Sequence, residues 1–221
     1  MTARKEDAEL ARLMGRILAR VSHDLNNIAT IWGGHLSLVR EGSEDPEEAW
    51  AAFDEALAHL LRLSESLNGL GLVGSEAVTA VDIHDLVREV AASGHGSTPP
   101  ELDLDSRGAV VTGRRTELAR AIEALLANAR EASPPGSPIR VRTRLQAGEG
   151  RVAVEVEDAG PGFAAEVRQR NFDPLVSTRG QRGRGTGVAL ARLVALLHGG
   201  SLRLEDRPGG GARVELSLPA G

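Results

Sequence analysis

Residues 9–39 read ELARLMGRILARVSHDLNNIATIWGGHLSLV. Leu10, Met14, Ile17, Val21, Leu25, Ile28, Trp32, Leu36 and Val39 recur at steps of three and four, averaging about 3.6 residues, the period of an amphipathic helix. The spacing predicts one long helix that stops near Glu41-Gly42. Asp45-Pro46-Glu47-Glu48 then supplies an N-cap, a proline at the first helical position and first-turn acids, so a second helix is expected from there. Its apolar face runs through Trp50, Phe53, Leu57, Leu60, Leu67 and Leu70, and it ends in the glycine-punctuated residues 69–74. Two long helices joined by a short turn form an antiparallel hairpin. A lone hairpin cannot bury so continuous a stripe, and pairing of two copies into a four-helix bundle is the economical solution. The alternative is docking of the stripe onto the rest of the chain.

Beyond Gly74 the pattern becomes mixed. Strands are expected at 78–81, 101–104, 109–112, 139–145, 151–157, 201–205 and 212–218, and helices at 82–92, 115–132 and 186–197. Pro208-Gly209-Gly210-Gly211 reads as the turn of a closing hairpin. The fold class is therefore α+β, with a helical hairpin over residues 1–75 and, over 76–221, a sheet covered on one face by helices. No internal repeat is present.

Composition limits the function. Against 31 acidic residues stand 26 basic ones, a net charge of −5, which argues against a nucleic-acid binder relying on a general positive field. The absence of cysteine removes disulfides and cysteine-ligated metals and fits a reducing compartment, so a cytoplasmic location is expected. The first residues, MTARKEDAEL, lack a signal-peptide core, and no apolar run approaches the ~18 residues of a membrane span. Lys5 is the single lysine, so phosphate chemistry would have to use arginine.

Five groups of residues carry possible chemistry. His23, within Ser22-His23-Asp24-Leu25-Asn26-Asn27, lies two positions from both Val21 and Leu25 and so points off the apolar stripe into solvent. Asp24 can accept a hydrogen bond from one ring nitrogen and leave the other as nucleophile, and Asn27 shares the face one turn on. His35, on the same helix, is expected to lack an acid beside it. Asn128, after Leu125-Leu126-Ala127, is either a tolerated surface amide or a neutral oxygen ligand for Mg²⁺. Asp158-Ala159-Gly160-Pro161-Gly162 follows a strand, where a carboxylate could accept from an exocyclic amine such as that of adenine; the same letters also make an ordinary turn. Residues 171–182 read as a lid, with Arg179, Arg182 and Arg184 set to meet phosphate. Gly183-Arg184-Gly185-Thr186-Gly187 opens an apolar helix whose N-terminal N–H groups suit a polyphosphate.

Taken in order and spacing, these pieces resemble the sensor histidine kinase family, within the wider superfamily of Bergerat-fold ATPases. His23, Asp24 and Asn27 look like its H box and the helix around Asn128 its N box. Asp158 to Gly162 looks like its first glycine box, residues 172–178 its F box, and Gly183 to Gly187 its second glycine box. His198-Gly199-Gly200, the glycines 209–211 and the terminal Leu218-Pro219 are similar to the family's ending. The resemblance implies that Asp158 reads adenine, that Asn128 holds Mg²⁺, and that Gly160, Gly162, Thr178, Arg179, Gly183, Gly185, Thr186 and Gly187 cradle ATP. It implies further that His23 attacks the γ-phosphate and passes the phosphoryl group to an aspartate of a response regulator receiver domain, and that the hairpin forms a homodimer. Phosphatase action on the same partner is a further expectation. Two departures stand out: Ala124 replaces an asparagine usual four residues before Asn128, and Ile28 replaces a proline frequent after Asn27. The first favours an alternative, a phosphotransfer or scaffold protein whose ATP-binding domain has decayed.

Overall fold

The computed structural model describes residues 2–71, 76–93, 98–105, 107–146, 148–163 and 186–221. The chain divides into two compact units, Met1–Gly71 and Leu72–Gly221.

The first unit is a hairpin of α1 (Thr2–Arg40) and α2 (Pro46–Gly71). Gly42 ends α1 with a positive φ of 69°. Its N–H donates to Val39 C=O at 3.1 Å, and that of Ser43 to Leu38 C=O at 2.9 Å, which together satisfy carbonyls the helix would leave orphaned. Asp45 caps α2 as its sequence promised, with Oδ1 accepting from Glu47 N–H at 2.8 Å.

The seam between the helices differs from the expected stripe. Leu13, Ile17, Asp24 and Ile28 of α1 face inward with Ala49 and Ala56 of α2, while Met14, Leu25, Leu36, Leu57 and Trp50 remain exposed, Trp50 at 65%. Two helices touch along a narrow strip, and the small alanines of α2 admit close approach; the larger apolar residues keep more than a third of their surface exposed. Phe53 closes the turn end, meeting the ring edges of Trp32, His35 and Trp50 at centroid distances of 6.1, 6.3 and 5.6 Å. His35 also corrects its sequence reading. Its Nδ1 lies 2.6 Å from Oε1 of Glu44, an acid supplied by the interhelical turn rather than by a neighbour in sequence.

The second unit begins with β1 (Thr79–Asp82) and α3 (Ile83–Ser93), then β2 (Glu101–Asp103), β3 (Val110–Gly113) and α4 (Arg115–Ala132). It continues with β4 (Arg140–Gln146), β5 (Arg151–Glu157), α5 (Thr186–Leu197), β6 (Ser201–Asp206) and β7 (Ala212–Pro219). Among the described residues β1 pairs with β3, and a five-stranded sheet runs β2-β4-β5-β7-β6, antiparallel except for β2 with β4. Strict alternation builds the two faces. Val152, Val154 and Val156 of β5 join Val141, Val214, Leu216 and Leu218 in one core with Leu86 and Val87 of α3, Leu118, Ile122, Leu125 and Leu126 of α4, and Val194 of α5. Each such side chain contributes about 1.5–3 kcal/mol by leaving water, which makes this face the main source of stability.

Two glycines explain the His198-Gly199-Gly200 ending. Gly199 takes a φ of 64°, and Gly200 N–H donates to Ala195 C=O at 2.7 Å, closing α5 as Gly42 closes α1. His198 is buried, its Nδ1–H donating to Val194 C=O at 2.8 Å and its Nε2 accepting from Arg114 N–H at 3.0 Å. A Cβ at Gly113 would stand 2.7 Å from its Cδ2, so only glycine lets the ring in. The imidazole thus ties the end of α5 to the start of α4, whose N-cap, Arg114, has no side-chain cap of its own.

The opposite sheet face is a ladder of charge. Arg142 faces Glu155, Glu155 faces Glu215, and Glu215 faces Arg203 across β4, β5, β7 and β6. Burial, and next the Glu155 carboxylate, push the Glu215 carboxyl above its ordinary value. The folded state therefore binds that proton more tightly than the unfolded chain, and the associated stability is present at low pH and lost as pH rises through the raised value. Glu215→Gln is expected to leave the midpoint of thermal or urea unfolding unchanged below the ordinary carboxylate range and to stabilise the unit by about 0.5 kcal/mol at neutral pH.

Candidate functional site

On α1 the His23 side chain is 67% exposed, as the helix angle predicts, while its neighbour Asp24 is buried. Asp24 Oδ1 lies 3.3 Å from His23 Nδ1, and Asn27 Nδ2 lies 3.2 Å from the same nitrogen. One tautomer serves one partner: an Nδ1–H donates to Asp24 and leaves the Nε2 lone pair outward, whereas an Nδ1 lone pair accepts from Asn27. In the first of these tautomers a buried carboxylate holds an exposed imidazole by one nitrogen. Ile28, where proline was noted as frequent, is buried in the seam.

In the second unit α4 organises the remaining residues. Ala124, Asn128 and Ala132 stand four residues apart and share one helix face. A Cβ at Gly187, at the start of α5, would lie 3.5 Å from Ala124 Cβ; one at Gly160 would lie 2.6 Å from Ala132 C=O. The opening of α5 and the Asp158 loop therefore sit on α4 one turn to either side of Asn128, which is half-buried between them. Ser133 fastens the same junction, its Oγ donating to Ala129 C=O at 2.9 Å and accepting from Ala159 N–H at 3.2 Å.

Asp158 is 3% exposed, immediately beyond β5. Its Oδ1 accepts from Gly160 N–H at 2.8 Å and Ala212 N–H at 3.0 Å. Among the described residues Oδ2 takes no hydrogen bond. Gly162 adopts a φ of 76°, and a Cβ there would meet Asp206 Oδ1 at 2.7 Å, so the turn admits no side chain at that point. Thr186 and Gly187 open α5. Thr178, Arg179, Arg182, Gly183, Arg184 and Gly185 lie outside the described residues.

Sequence reasoning missed the groups beneath Asp158. Glu157 is 2% exposed although it faces away from the helices. Burial would push its carboxyl up, but the hydrogen bond from Arg213 and the charges of Arg142 and Arg207 outweigh it and hold the carboxyl below its ordinary value. Arg142 Nη1 reaches it at 2.6 Å and Arg213 Nη2 at 2.8 Å. The available signal was an acid pair, Glu157-Asp158, at a strand end, with strand arginines at even spacing opposite.

Residues 113–221, which span α4, Asp158 and the opening of α5, match the family described as histidine kinase-, DNA gyrase B- and HSP90-like ATPase. With His23 on its hairpin, this chain belongs to the sensor histidine kinase family. It is 35% identical to the sensor protein KdpD of Rathayibacter rathayi over 96% of its own length, and spans 26% of that protein. To the histidine-protein kinase/phosphatase MprB of Mycolicibacterium smegmatis it is 30% identical over 96% of its length, spanning 47% of it. The chain thus covers between a quarter and a half of these kinases. The solved structure of histidine kinase ThkA in complex with response regulator TrrA shares the fold, with a TM-score of 0.67 at 23% identity over 99% of this chain and 65% of that one. Among the described residues no helix is long and apolar enough to cross a membrane.

The structure thus brings together a carboxylate with one oxygen that takes no hydrogen bond among the described residues, a turn too tight for side chains, and an amide between that turn and a helix N-terminus. Gly160→Ala would drive a methyl into the Ala132 carbonyl and shift the Asp158 loop off α4. A loss of about 1–3 kcal/mol in unfolding free energy, with weakened binding of ATP in the same preparation, is the expected outcome.

Proposed function

We propose that the protein is an ATP-dependent histidine kinase of a two-component system, phosphorylated on His23. The contact between buried Asp24 and Nδ1 of exposed His23 carries the reading. A carboxylate on one ring nitrogen fixes the tautomer in which Nε2 holds the lone pair, and the imidazolium character that develops on attack is offset by the same carboxylate. Nε2 forms a bond to the γ-phosphorus as the bond to the bridging oxygen breaks and ADP departs. Little covalent work falls to the protein, so positioning and charge neutralisation supply the acceleration.

In this reading Asp158 Oδ2 accepts from the adenine amine, and Asn128 would offer a Mg²⁺ ion one neutral oxygen, the ion supplying charge neutralisation at the phosphates. Met14, Leu25 and Leu36 of α1, each more than a third exposed, support a homodimer through the hairpin, since a second copy would cover the apolar surface they leave open. A response regulator receiver aspartate then takes the phosphoryl group from His23. Asn27, one turn from His23 on its exposed face, orients a water for dephosphorylation of that regulator, because an amide donates and accepts without being a strong base.

A second reading, a phosphotransfer scaffold with a weakened nucleotide site, draws on Ala124. With Gly187 packed against that position, α4 offers no amide oxygen one turn before Asn128.

Incubation with labelled ATP and Mg²⁺, followed by acid and base treatment, tests the proposal. Acid-labile, base-stable label that disappears in His23→Gln is expected; label that persists in that variant, or that resists acid, overturns it. Asn27→Ala is expected to keep self-labelling within about twofold while slowing regulator dephosphorylation at least about tenfold, and the opposite pattern reverses its assigned role.

A further inference from the structure

We infer that the turn between β6 and β7 is the device that positions the Asp158 carboxylate, with Arg207 as its positioning residue. The inference rests on the reading of Asp158 as the acceptor for the adenine amine. Sequence gave this turn, Arg207-Pro208-Gly209-Gly210-Gly211, no task beyond reversing the chain.

The structure shows it gripping the Asp158 loop at both ends. At the start, Arg207 Nη1 donates to Asp158 C=O at 2.8 Å, and Ala212, the first residue of β7, exchanges backbone and side-chain bonds with the same residue: Asp158 N–H donates to Ala212 C=O at 3.0 Å, and Ala212 N–H to Asp158 Oδ1 at 3.0 Å. At the far end Asp206 Oδ1 accepts from Phe163 N–H at 2.7 Å. The turn is itself braced, Arg207 N–H donating to Gly211 C=O at 3.0 Å and Gly210 N–H to Arg207 C=O at 3.1 Å.

The approach is too close for any side chain at its base. Gly211 holds a φ of 86°, and a Cβ there would stand 2.1 Å from Asp158 C=O and 3.3 Å from Arg207 Nη1. Arg207 is held in turn by Glu157, whose Oε2 lies 3.5 Å from its Nε. One planar guanidinium therefore meets two successive residues, the Asp158 carbonyl by a hydrogen bond from Nη1 and the Glu157 carboxylate by a charge contact at Nε, and steadies the backbone from which the Asp158 side chain projects. Lysine has one nitrogen and cannot hold both.

The consequence falls on selectivity for the base. A carboxylate rejects a purine that presents a carbonyl where adenine presents an amine, and the rejection is only as sharp as the carboxylate is fixed. A purely structural arginine would weaken all nucleotides alike.

Calorimetric titration of the full chain with ATP and with inosine triphosphate, each with Mg²⁺, separates the two roles. The unaltered protein is expected to prefer ATP, and Arg207→Ala to reduce the ratio of affinities by about tenfold, with Arg207→Lys in between. Should Arg207→Ala fail to fold, Arg207→Lys, which retains the positive charge beside Glu157, still gives the ratio. A preference for ATP unchanged in the variants that fold would overturn the inference alone. Absence of any preference in the unaltered protein would overturn the reading of Asp158 and the inference with it.

Discussion

One carboxylate oxygen organises the second unit. Asp158 Oδ1 takes a hydrogen bond from Gly160 on its own loop and another from Ala212 at the head of β7, so it joins a turn to a strand that begins more than fifty residues later. A buried carboxylate is costly unless its lone pairs are met. Meeting two of them with backbone N–H groups forces the chain close on both sides, and the forced closeness shows in the glycines. Gly160 lies against the end of α4, Gly162 against Asp206 and Gly211 against the Asp158 carbonyl, each where a Cβ would come within 2.1 to 2.7 Å of another atom. The remaining oxygen is then the natural place for a ligand, because the fold has already supplied the first with all the donors it needs.

The charge beneath the site follows from the same geometry. Asp158 directly follows Glu157, and a second buried carboxylate at that point would repel the first unless it were neutralised. Arg142 and Arg213 do so from the neighbouring strands and Arg207 from the turn. Arginine suits this task better than lysine, since its planar fork bonds two groups at once and resists deprotonation when half-buried. A chain with one lysine and many arginines is thus consistent at the level of individual contacts, whatever set its composition.

Much of this was legible in the letters. The spans 115–132, 151–157 and 186–197 follow directly from helical and alternating periodicity, and α4, β5 and α5 occupy those residues. His23 points to solvent because a helix turns by about 100° per residue, a rule that holds without knowledge of any partner. The illegible parts depend on partners distant in sequence. His35 meets Glu44 because the turn brings the acid back; Asp24 is buried although it adjoins the exposed His23; the hairpin seam runs through alanines because small residues let helices approach. Arg207 looked like ordinary turn punctuation, and only the pairing of β5 with β7 brings it under Asp158.

In the proposed function the hairpin and the second unit supply two halves of one chemistry. The hairpin fixes an imidazole by one nitrogen; the other unit fixes a carboxylate by one oxygen. In each case a hydrogen-bonding partner holds one atom and leaves its twin for the role proposed. Asp158→Asn tests that principle most directly, because the amide oxygen can still accept from Gly160 and Ala212 while the outward atom becomes a donor. Calorimetry with ATP and Mg²⁺ should give measurable binding to the unaltered protein and at least about a tenfold loss in the variant, with the unfolding midpoint little changed. Equal ATP affinity in the two proteins, or no binding to either at millimolar nucleotide, would contradict the account.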